Sequence, residues 1–248
     1  MIDGNPVIDF HGHPGRWGDS VNSPERVLPA MDAVGIDKAV LFNIWHPEGT
    51  RANDDTVALI AQAPDRFMGF AYVSPLMPEG MVAELERAVD QLGLVGIKLY
   101  PPFTNIKLNE RPWFPIYEFA NARRLPLLWH TGIEPENWPC YVGDVAPHFP
   151  DARFVCGHSG NCPPMREMAI EVARANENVF LETCSTFRTP GAIEELVNGA
   201  GADRVLFGSD IPLMDPRPQL GKILTADIDD DAKRLIIGQN ALRLLDRG

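Results

Sequence analysis

"VIDFHGHPG", residues 7–15, places two histidines at the end of a short apolar segment. Residues 7–11 alternate with the two-residue period of a β-strand, so His11 and His13 are expected on the same face, with room left beside them by Gly12. Burying imidazole rings costs free energy unless their nitrogens are satisfied. A shared metal ion would satisfy both rings, provided that the rest of the chain supplies further ligands.

Seven more apolar segments follow this first strand. Most are continuously apolar and rich in β-branched and aromatic residues, as expected for strands that are buried on both faces. Helical periodicity fills most of the intervals between them. The further predicted strands are residues 38–44, 67–73, 94–100, 126–131, 152–158, 179–184 and 205–210. The predicted helices cover residues 23–35, 54–63, 79–92, 112–123, 163–176, 190–200 and 229–245, with 144–149 as a short helical segment.

Strands that alternate with helices in this way are typical of a parallel sheet with right-handed crossovers. Closed on itself, an eight-stranded sheet of this kind is a (β/α)8 TIM barrel, for which ~250 residues are typical. The chain has 248 residues and no linker or low-complexity stretch. We therefore predict one α/β barrel domain over residues 1–248, with a doubly wound open sheet as the alternative.

The composition narrows the classes of partner. A formal net charge of −12 argues against nucleic acid or an anionic membrane as the main partner. We expect no signal peptide, and no apolar run in the sequence approaches the ~20 residues that span a bilayer. The four cysteines form no Cys-x-x-Cys pair, so reduced thiols in a cytoplasmic protein are the expectation.

Polar residues recur at the carboxyl ends of the predicted strands, where the chemistry of such barrels is located. Singly, each has an ordinary structural explanation, such as a hydrogen-bonded histidine at the rim or an aspartate that caps a turn. Gathered at one end of one barrel, they would form the kind of ligand set that binds zinc and similar ions. The residues are His11, His13, His130, His158 and Asp210.

The motifs "DFHGHPG", "LLWHTG", "CGHSG", "FGSDIP" and "IIGQNALRLL" together resemble the amidohydrolase superfamily. Within it, the chain is similar to the amidohydrolase-related branch that includes aminocarboxymuconate-semialdehyde decarboxylase and pyrone-dicarboxylate lactonase. The resemblance implies a distorted (β/α)8 barrel with one divalent metal ion at its mouth, Zn²⁺ or alternatively Mn²⁺. It implies His158 as a neighbouring acid or base, and as metal ligands His11, His13, His130 and Asp210.

Lys98, in "GIKLYPP" near the end of the fourth predicted strand, has three interpretations. Two-metal members of the superfamily often carry a carboxylated lysine near this place, although the branch that this chain resembles works with a single metal. A salt bridge at the barrel mouth is the structural alternative. We favour a buried ammonium group that binds an anionic group of the substrate.

Aromatic and cationic residues in the predicted loops suit a planar, carboxylated small molecule. Rim packing without substrate contact is an equal alternative for each loop aromatic, and Glu182 could instead orient a metal-bound histidine. The candidate substrate-binding residues are Arg16, His46, Lys98, Tyr100, Glu182 and Arg188, with Trp17, Trp138 and Tyr141 as further aromatics in the loops.

These residues lead us to expect a hydrolase of a small carboxylated ester, lactone or amide. Metal-bound water has a pKa of ~7, Asp210 would act as its general base, and His158 would polarise the carbonyl or protonate the leaving group. The alternative is a metal-dependent nonoxidative decarboxylase of an aromatic or muconate-like acid. A catalytically silent metal-binding barrel and Schiff-base chemistry at Lys98 are the remaining readings, and self-association is compatible with such a barrel.

Overall fold

Eight parallel strands follow one another around the sheet in chain order, and helices alternate with them. The computed structural model describes residues 4–14, 24–159, 161–184 and 189–246. The strands are β1 (Ile8–Gly12), β2 (Lys38–Leu41), β3 (Phe67–Tyr72), β4 (Gly96–Leu99), β5 (Pro126–His130), β6 (Arg153–Gly157), β7 (Val179–Glu182) and β8 (Val205–Leu206).

The helices pack outside the sheet and agree in most places with the sequence prediction. They are α1 (Pro24–Asp32), α2 (Thr50–Ile60), α3 (Met81–Glu86), α4 (Phe114–Arg123), α5 (Cys140–Val145), α6 (Pro163–Ala175), α7 (Ala192–Ala200), α8 (Pro216–Leu224), α9 (Asp230–Arg234) and α10 (Asn240–Leu245). The π-helical segment Arg87–Gln91 extends α3, and Leu235–Gln239 joins α9 to α10. Short 3₁₀ segments lie at Pro101–Phe103, Arg111–Trp113, Ala146–His148 and Ala202–Arg204.

Helix α8 is absent from the sequence prediction because two prolines and a glycine within "PRPQLGKIL" weaken its helical signal. In the structure, Pro216 occupies the first turn, where a missing N–H costs nothing. Asp215 caps the helix by accepting a hydrogen bond from the backbone N–H of Arg217. The prolines therefore begin this helix rather than prevent it.

Backbone hydrogen bonds between β1 and the segment after β8 close the sheet. The N–H of Phe10 donates to the carbonyl of Phe207 at 2.9 Å, and the N–H of Asp210 donates to the carbonyl of His11 at 2.8 Å. Gly12 forms a further parallel bridge with Ile211. This closure confirms the predicted (β/α)8 barrel and rules out the open, doubly wound sheet.

Two apolar clusters form the core, one on each side of the barrel wall. The outer cluster joins the strands to the helices and includes Val7, Leu41, Trp113 and Trp129. The inner cluster fills the barrel with side chains from alternate strand positions, among them Ile8, Phe10, Val40, Phe42, Phe70, Tyr72, Leu128 and Val155. The barrel is thus solid below its mouth, which leaves the carboxyl ends of the strands for chemistry.

Strand β1 contains a bulge that the regular alternation of its sequence did not predict. Asp9 pairs with Ala39 and Gly12 pairs with Leu41, so β1 carries one residue more than β2 over this interval. A bulge re-aims the side chains that follow it. Ile8 and Phe10 reach the inner cluster by ordinary alternation, and because of the bulge the next side chain, that of His11, also faces inward.

The four cysteines are free. Across the described ranges, no helix combines the length and the apolar character that a membrane span requires.

Candidate metal centre

His11, His13 and Asp210 converge at the mouth of the barrel. Nε2 of His13 lies 3.1 Å from Oδ1 of Asp210, and Nε2 of His11 lies 3.8 Å from the same oxygen. All three side chains are buried. One ligand atom from each residue falls within 4.8 Å of the others, a spacing that one cation can bridge. About two hundred residues of sequence separate His11 and His13 from Asp210, and the closure of the barrel brings them together.

The donor set fits a divalent cation. Oδ1 of Asp210 is buried, and the Nε2 atoms of His13 and His11 lie 3.1 Å and 3.8 Å from it. Burial would raise the pKa of Asp210, but the His13 and His11 rings beside it outweigh burial and hold that pKa well below its usual range. The carboxylate is therefore ionised, and two imidazole nitrogens with one carboxylate oxygen are donors that suit Zn²⁺ or Mn²⁺.

Asp9 links the backbone at His11 to the backbone beside Asp210, a role that its place in the sequence did not predict. Its carboxylate accepts hydrogen bonds from the N–H of His11 at 3.1 Å and the N–H of Ser209 at 2.9 Å, and it also contacts the Ser209 hydroxyl. Burial raises the pKa of Asp9 to about 7 despite these bonds. The only signal in the sequence was an acidic residue inside an apolar strand.

Glu182, the last residue of β7, lies behind His11. Its Oε2 lies 3.0 Å from Nδ1 of His11 and accepts the backbone N–H of His158 at 3.2 Å, while Oε1 accepts the N–H of Cys184. With the His11 proton on Nδ1, Nε2 carries the lone pair that a metal would bind. Burial raises the pKa of Glu182 to about 7. This geometry matches the histidine-orienting interpretation of Glu182.

His158 and His130 form a row of rings beside the metal-binding set. The His158 ring lies 4.6 Å from that of His11 and 4.4 Å from that of His130, which in turn lies 4.6 Å from the ring of Tyr100. Burial, and to a smaller extent the neighbouring His11, lowers the pKa of His158 to about 3. Its ring is therefore neutral. The role of His130 as a fourth ligand stays a prediction.

A second donor set shares His11 with the first. Ligand atoms of His11, His158 and Cys184 also lie within 4.8 Å of one another. This set would need a thiolate, and burial raises the pKa of Cys184 well above its usual range. Because metal ligands must be deprotonated, the set that contains the ionised Asp210 is the better cation site.

Lys98 is buried within the same cluster. Its Nζ lies 3.3 Å from Nε2 of His11 and 4.7 Å above the ring of Phe42. No carboxylate of the described ranges lies within ion-pair distance of it, which disfavours the salt-bridge interpretation. Burial lowers the pKa of Lys98 to about 8. Because an unpaired buried charge is costly, an anion that enters the barrel mouth would stabilise the ammonium form of Lys98.

Three of the remaining predicted substrate contacts make contacts outside the histidine cluster. Nε2 of His46 lies 3.4 Å from Oδ2 of Asp55 on α2. Trp138 stacks on Tyr141 at 6.2 Å, and its indole N–H donates to the carbonyl of Ile133 at 3.1 Å, so these aromatics hold their own loop together. The other three predicted contacts lie outside the described residues: Arg16, Trp17 and Arg188.

Curated relatives cover most of the chain. A gamma-resorcylate decarboxylase from Polaromonas sp. is 28% identical over 76% of this chain and 73% of its own length. A 2-amino-3-carboxymuconate-6-semialdehyde decarboxylase from Dictyostelium discoideum is 23% identical over 99% of this chain and 80% of its own length. A 2-keto-4-carboxy-3-hexenedioate hydratase from Sphingobium sp. is 26% identical over 66% of this chain, which spans 58% of that relative.

The fold is shared with solved structures. A dihydroxybenzoic acid decarboxylase from Polaromonas sp., with bound manganese and the inhibitor 2-nitroresorcinol, superposes with a TM-score of 0.75 at 20% identity and 97% coverage of both chains. At this identity the likeness establishes the fold alone.

These relatives correct one expectation and confirm another. The expected ester, lactone or amide hydrolase is wrong, since these curated relatives are two decarboxylases and a hydratase. A ligand set specifies where a metal binds but not which bond breaks. The expected family is confirmed, because the Amidohydro_2 model matches residues 8–247. The chain belongs to the amidohydrolase family.

Proposed function

We propose that this protein is a metal-dependent nonoxidative decarboxylase of a small, carboxylated aromatic or muconate-like acid. The observation that carries the proposal is the convergence of His11, His13 and Asp210 at the barrel mouth, with the neutral ring of His158 beside them. The decarboxylase relatives support the reaction type. The net reaction replaces the C–CO₂⁻ bond of the substrate with a C–H bond and releases CO₂.

The residues divide the work between binding and proton transfer. Under this proposal, His11, His13 and Asp210 hold the cation, and Glu182 fixes the donor nitrogen of His11. A bound divalent cation would polarise the carboxylate and an adjacent oxygen of the substrate. Lys98 supplies a buried positive charge for the anionic substrate.

The row of rings beside the candidate site favours an aromatic or conjugated substrate. Tyr100 packs between Phe103 and His130, with centroid distances of 4.6 Å to each, and Trp45 lies 5.9 Å beyond Phe103. Phe103 is 43% exposed, so this row extends from solvent to the histidines. A planar ring can stack along such a wall.

His158 is the proposed proton donor. Decarboxylation needs a proton at the carbon that loses CO₂; the neutral ring of His158 would relay one, taking up a solvent proton at one nitrogen as it passes a proton to that carbon from the other, so that it ends neutral. Asp210 is ionised and is a proposed ligand, which makes it a poor source of that proton. With hydrolysis set aside, no water-activating role is assigned to Asp210.

The test is product analysis with the purified protein, loaded with Zn²⁺ or Mn²⁺, on a panel of dihydroxybenzoates, muconate-like acids and lactones. We expect CO₂ and the decarboxylated product in equal amounts from at least one carboxylated compound. Lactone opening without CO₂, or water addition to a conjugated acid without CO₂, would contradict the proposal. The double variant H11A/H13A is the control and should release no CO₂.

A further inference from the structure

Cys184 follows β7 directly and contacts the side chain of His158. Its Sγ lies 3.2 Å from Nδ1 of the imidazole, and both residues are buried. The proposed reaction uses the ring of His158 but has no chemical use for a thiol. The contact therefore calls for an explanation in terms of what it does to the ring.

The backbone fixes this contact from both sides. His158 has a φ of 61°, a left-handed backbone conformation that few residues other than glycine adopt. Its N–H donates to Glu182, and the N–H of Cys184 donates to the same carboxylate. One buried group thus sets the position of the thiol relative to the imidazole.

The chemistry of the pair determines where the ring proton resides. A cysteine thiol has an ordinary pKa of ~8.5 and is therefore mostly protonated at neutral pH, and its S–H group is a weak hydrogen-bond donor. A neutral imidazole has one donor and one acceptor nitrogen, so a ring that accepts at Nδ1 carries its proton on Nε2, at the opposite edge.

We propose that Cys184 is a positioning residue for His158: its S–H donates to Nδ1 and holds the ring proton on Nε2, the nitrogen available to a substrate. The use of that proton in catalysis rests on the proposed function. The tautomer itself is a property of the protein without substrate. The competing role for this thiol is metal ligation together with His11 and His158.

The tautomer can be measured directly by NMR of the Zn²⁺-loaded protein labelled with ¹⁵N-histidine. Protonated and unprotonated ring nitrogens have well-separated shifts, and H158N assigns the His158 signals. We expect unprotonated Nδ1 and protonated Nε2 in the wild type and in C184S, which keeps a donor. In C184A the proton should spread over both nitrogens.

Kinetics on an accepted substrate give the second readout. C184A should lower kcat about tenfold with KM within about twofold, and C184S should recover most of the loss, because a misplaced acid forfeits part of the ~10²–10⁴-fold that such a group contributes. C156A is the matched control, since Cys156 is an equally buried thiol in the outer cluster. It should change neither the tautomer nor kcat.

Three results would overturn the proposal. One is an unchanged His158 tautomer in C184A, and another is an equal kinetic effect of C156A. The third is loss of metal from C184A, or a sulfur-to-metal charge-transfer band in the Co²⁺-substituted wild type, either of which would make Cys184 a ligand. If no compound releases CO₂, the proposed function fails, but the NMR experiment still decides the role of Cys184.

Discussion

At the scale of single residues, the carboxylate of Glu182 joins three parts of the candidate site. It contacts Nδ1 of His11 and accepts backbone N–H groups from His158 and Cys184. The strand before it is fully buried, so the carboxylate has little freedom to move. Such outer contacts select the tautomer and the orientation of a ligand histidine.

The variant E182Q tests this role. Glutamine keeps the size of the side chain but offers one acceptor oxygen in place of two, so His11 loses its fixed orientation. We expect the affinity for Zn²⁺ to fall about 10–100-fold, as measured by competition with a chromophoric chelator. E84Q, which also removes a hydrogen-bonded carboxylate but on α3, should leave metal affinity unchanged. Equal affinity in E182Q and the wild type would refute the role.

His158 and His13 should separate turnover from metal binding. H158N is expected to keep its metal and lose about 10²–10⁴-fold in the rate of CO₂ release, because it removes the proposed proton donor. H13A is expected to lose the metal itself, together with the activity. Elemental analysis and CO₂ release are measured on the same samples. A metal-free H158N, or a metal-replete H13A, would mean that the roles are assigned to the wrong residues.

At the scale of elements, a polar network locks α2 to α3 beside β3. The Glu84 carboxylate accepts hydrogen bonds from Arg87 and Asn53 at 2.8 Å each and from Thr50 at 3.0 Å. The Asn53 amide in turn exchanges hydrogen bonds with both backbone groups of Tyr72. The network therefore fixes α2 and α3 relative to β3, whose carboxyl end lies near the barrel mouth.

This network gives stability a defined pH dependence. Burial opposes ionisation of Glu84, but hydrogen bonds from Arg87, Asn53 and Thr50 outweigh it and lower the pKa of Glu84 below its usual value. A depressed pKa in the folded state stabilises the protein above the unfolded pKa, and that stability is lost as pH falls through the folded value.

E84Q should accordingly lower the free energy of unfolding by about 1–2 kcal/mol at pH 7. The difference from the wild type should shrink as pH falls through the lowered pKa of Glu84, where the carboxylate of the folded wild type becomes protonated. Urea denaturation at a series of pH values measures both quantities. A difference that stays constant down to pH 3 would show that the charge of Glu84 contributes nothing.

At the scale of the whole molecule, the sequence predicted the barrel and the convergence of its strand ends, because both follow from local periodicity. His11, His13 and Asp210 could be found in this way, since each lies at or near the carboxyl end of a predicted strand. The bulge in β1, the capped helix α8 and the contacts of Asp9 and Cys184 could not, because they depend on which segments meet in space. The reaction type was also out of reach, since one ligand set serves several chemistries.

Metal binding should raise the stability of the entire barrel, because the ligands come from opposite ends of the chain. At 100 times its dissociation constant, a metal that binds only the folded state adds about 2.7 kcal/mol. For a chain of this size, that corresponds to a rise in Tm of about 5–10 °C. Thermal unfolding with Zn²⁺ and with a chelator measures the shift, which H13A should abolish. An equal shift in H13A would place the stabilising metal elsewhere.

The central claim is that one cation is bound jointly by His11 and His13, from the start of the sequence, and by Asp210, from near its end. Anomalous diffraction from crystals of the Mn²⁺-loaded protein tests it most directly. We predict a single strong peak in contact with Nε2 of His11, Nε2 of His13 and a carboxylate oxygen of Asp210. A peak held by Cys184 and His158 without Asp210, or no peak at the barrel mouth, would contradict the account.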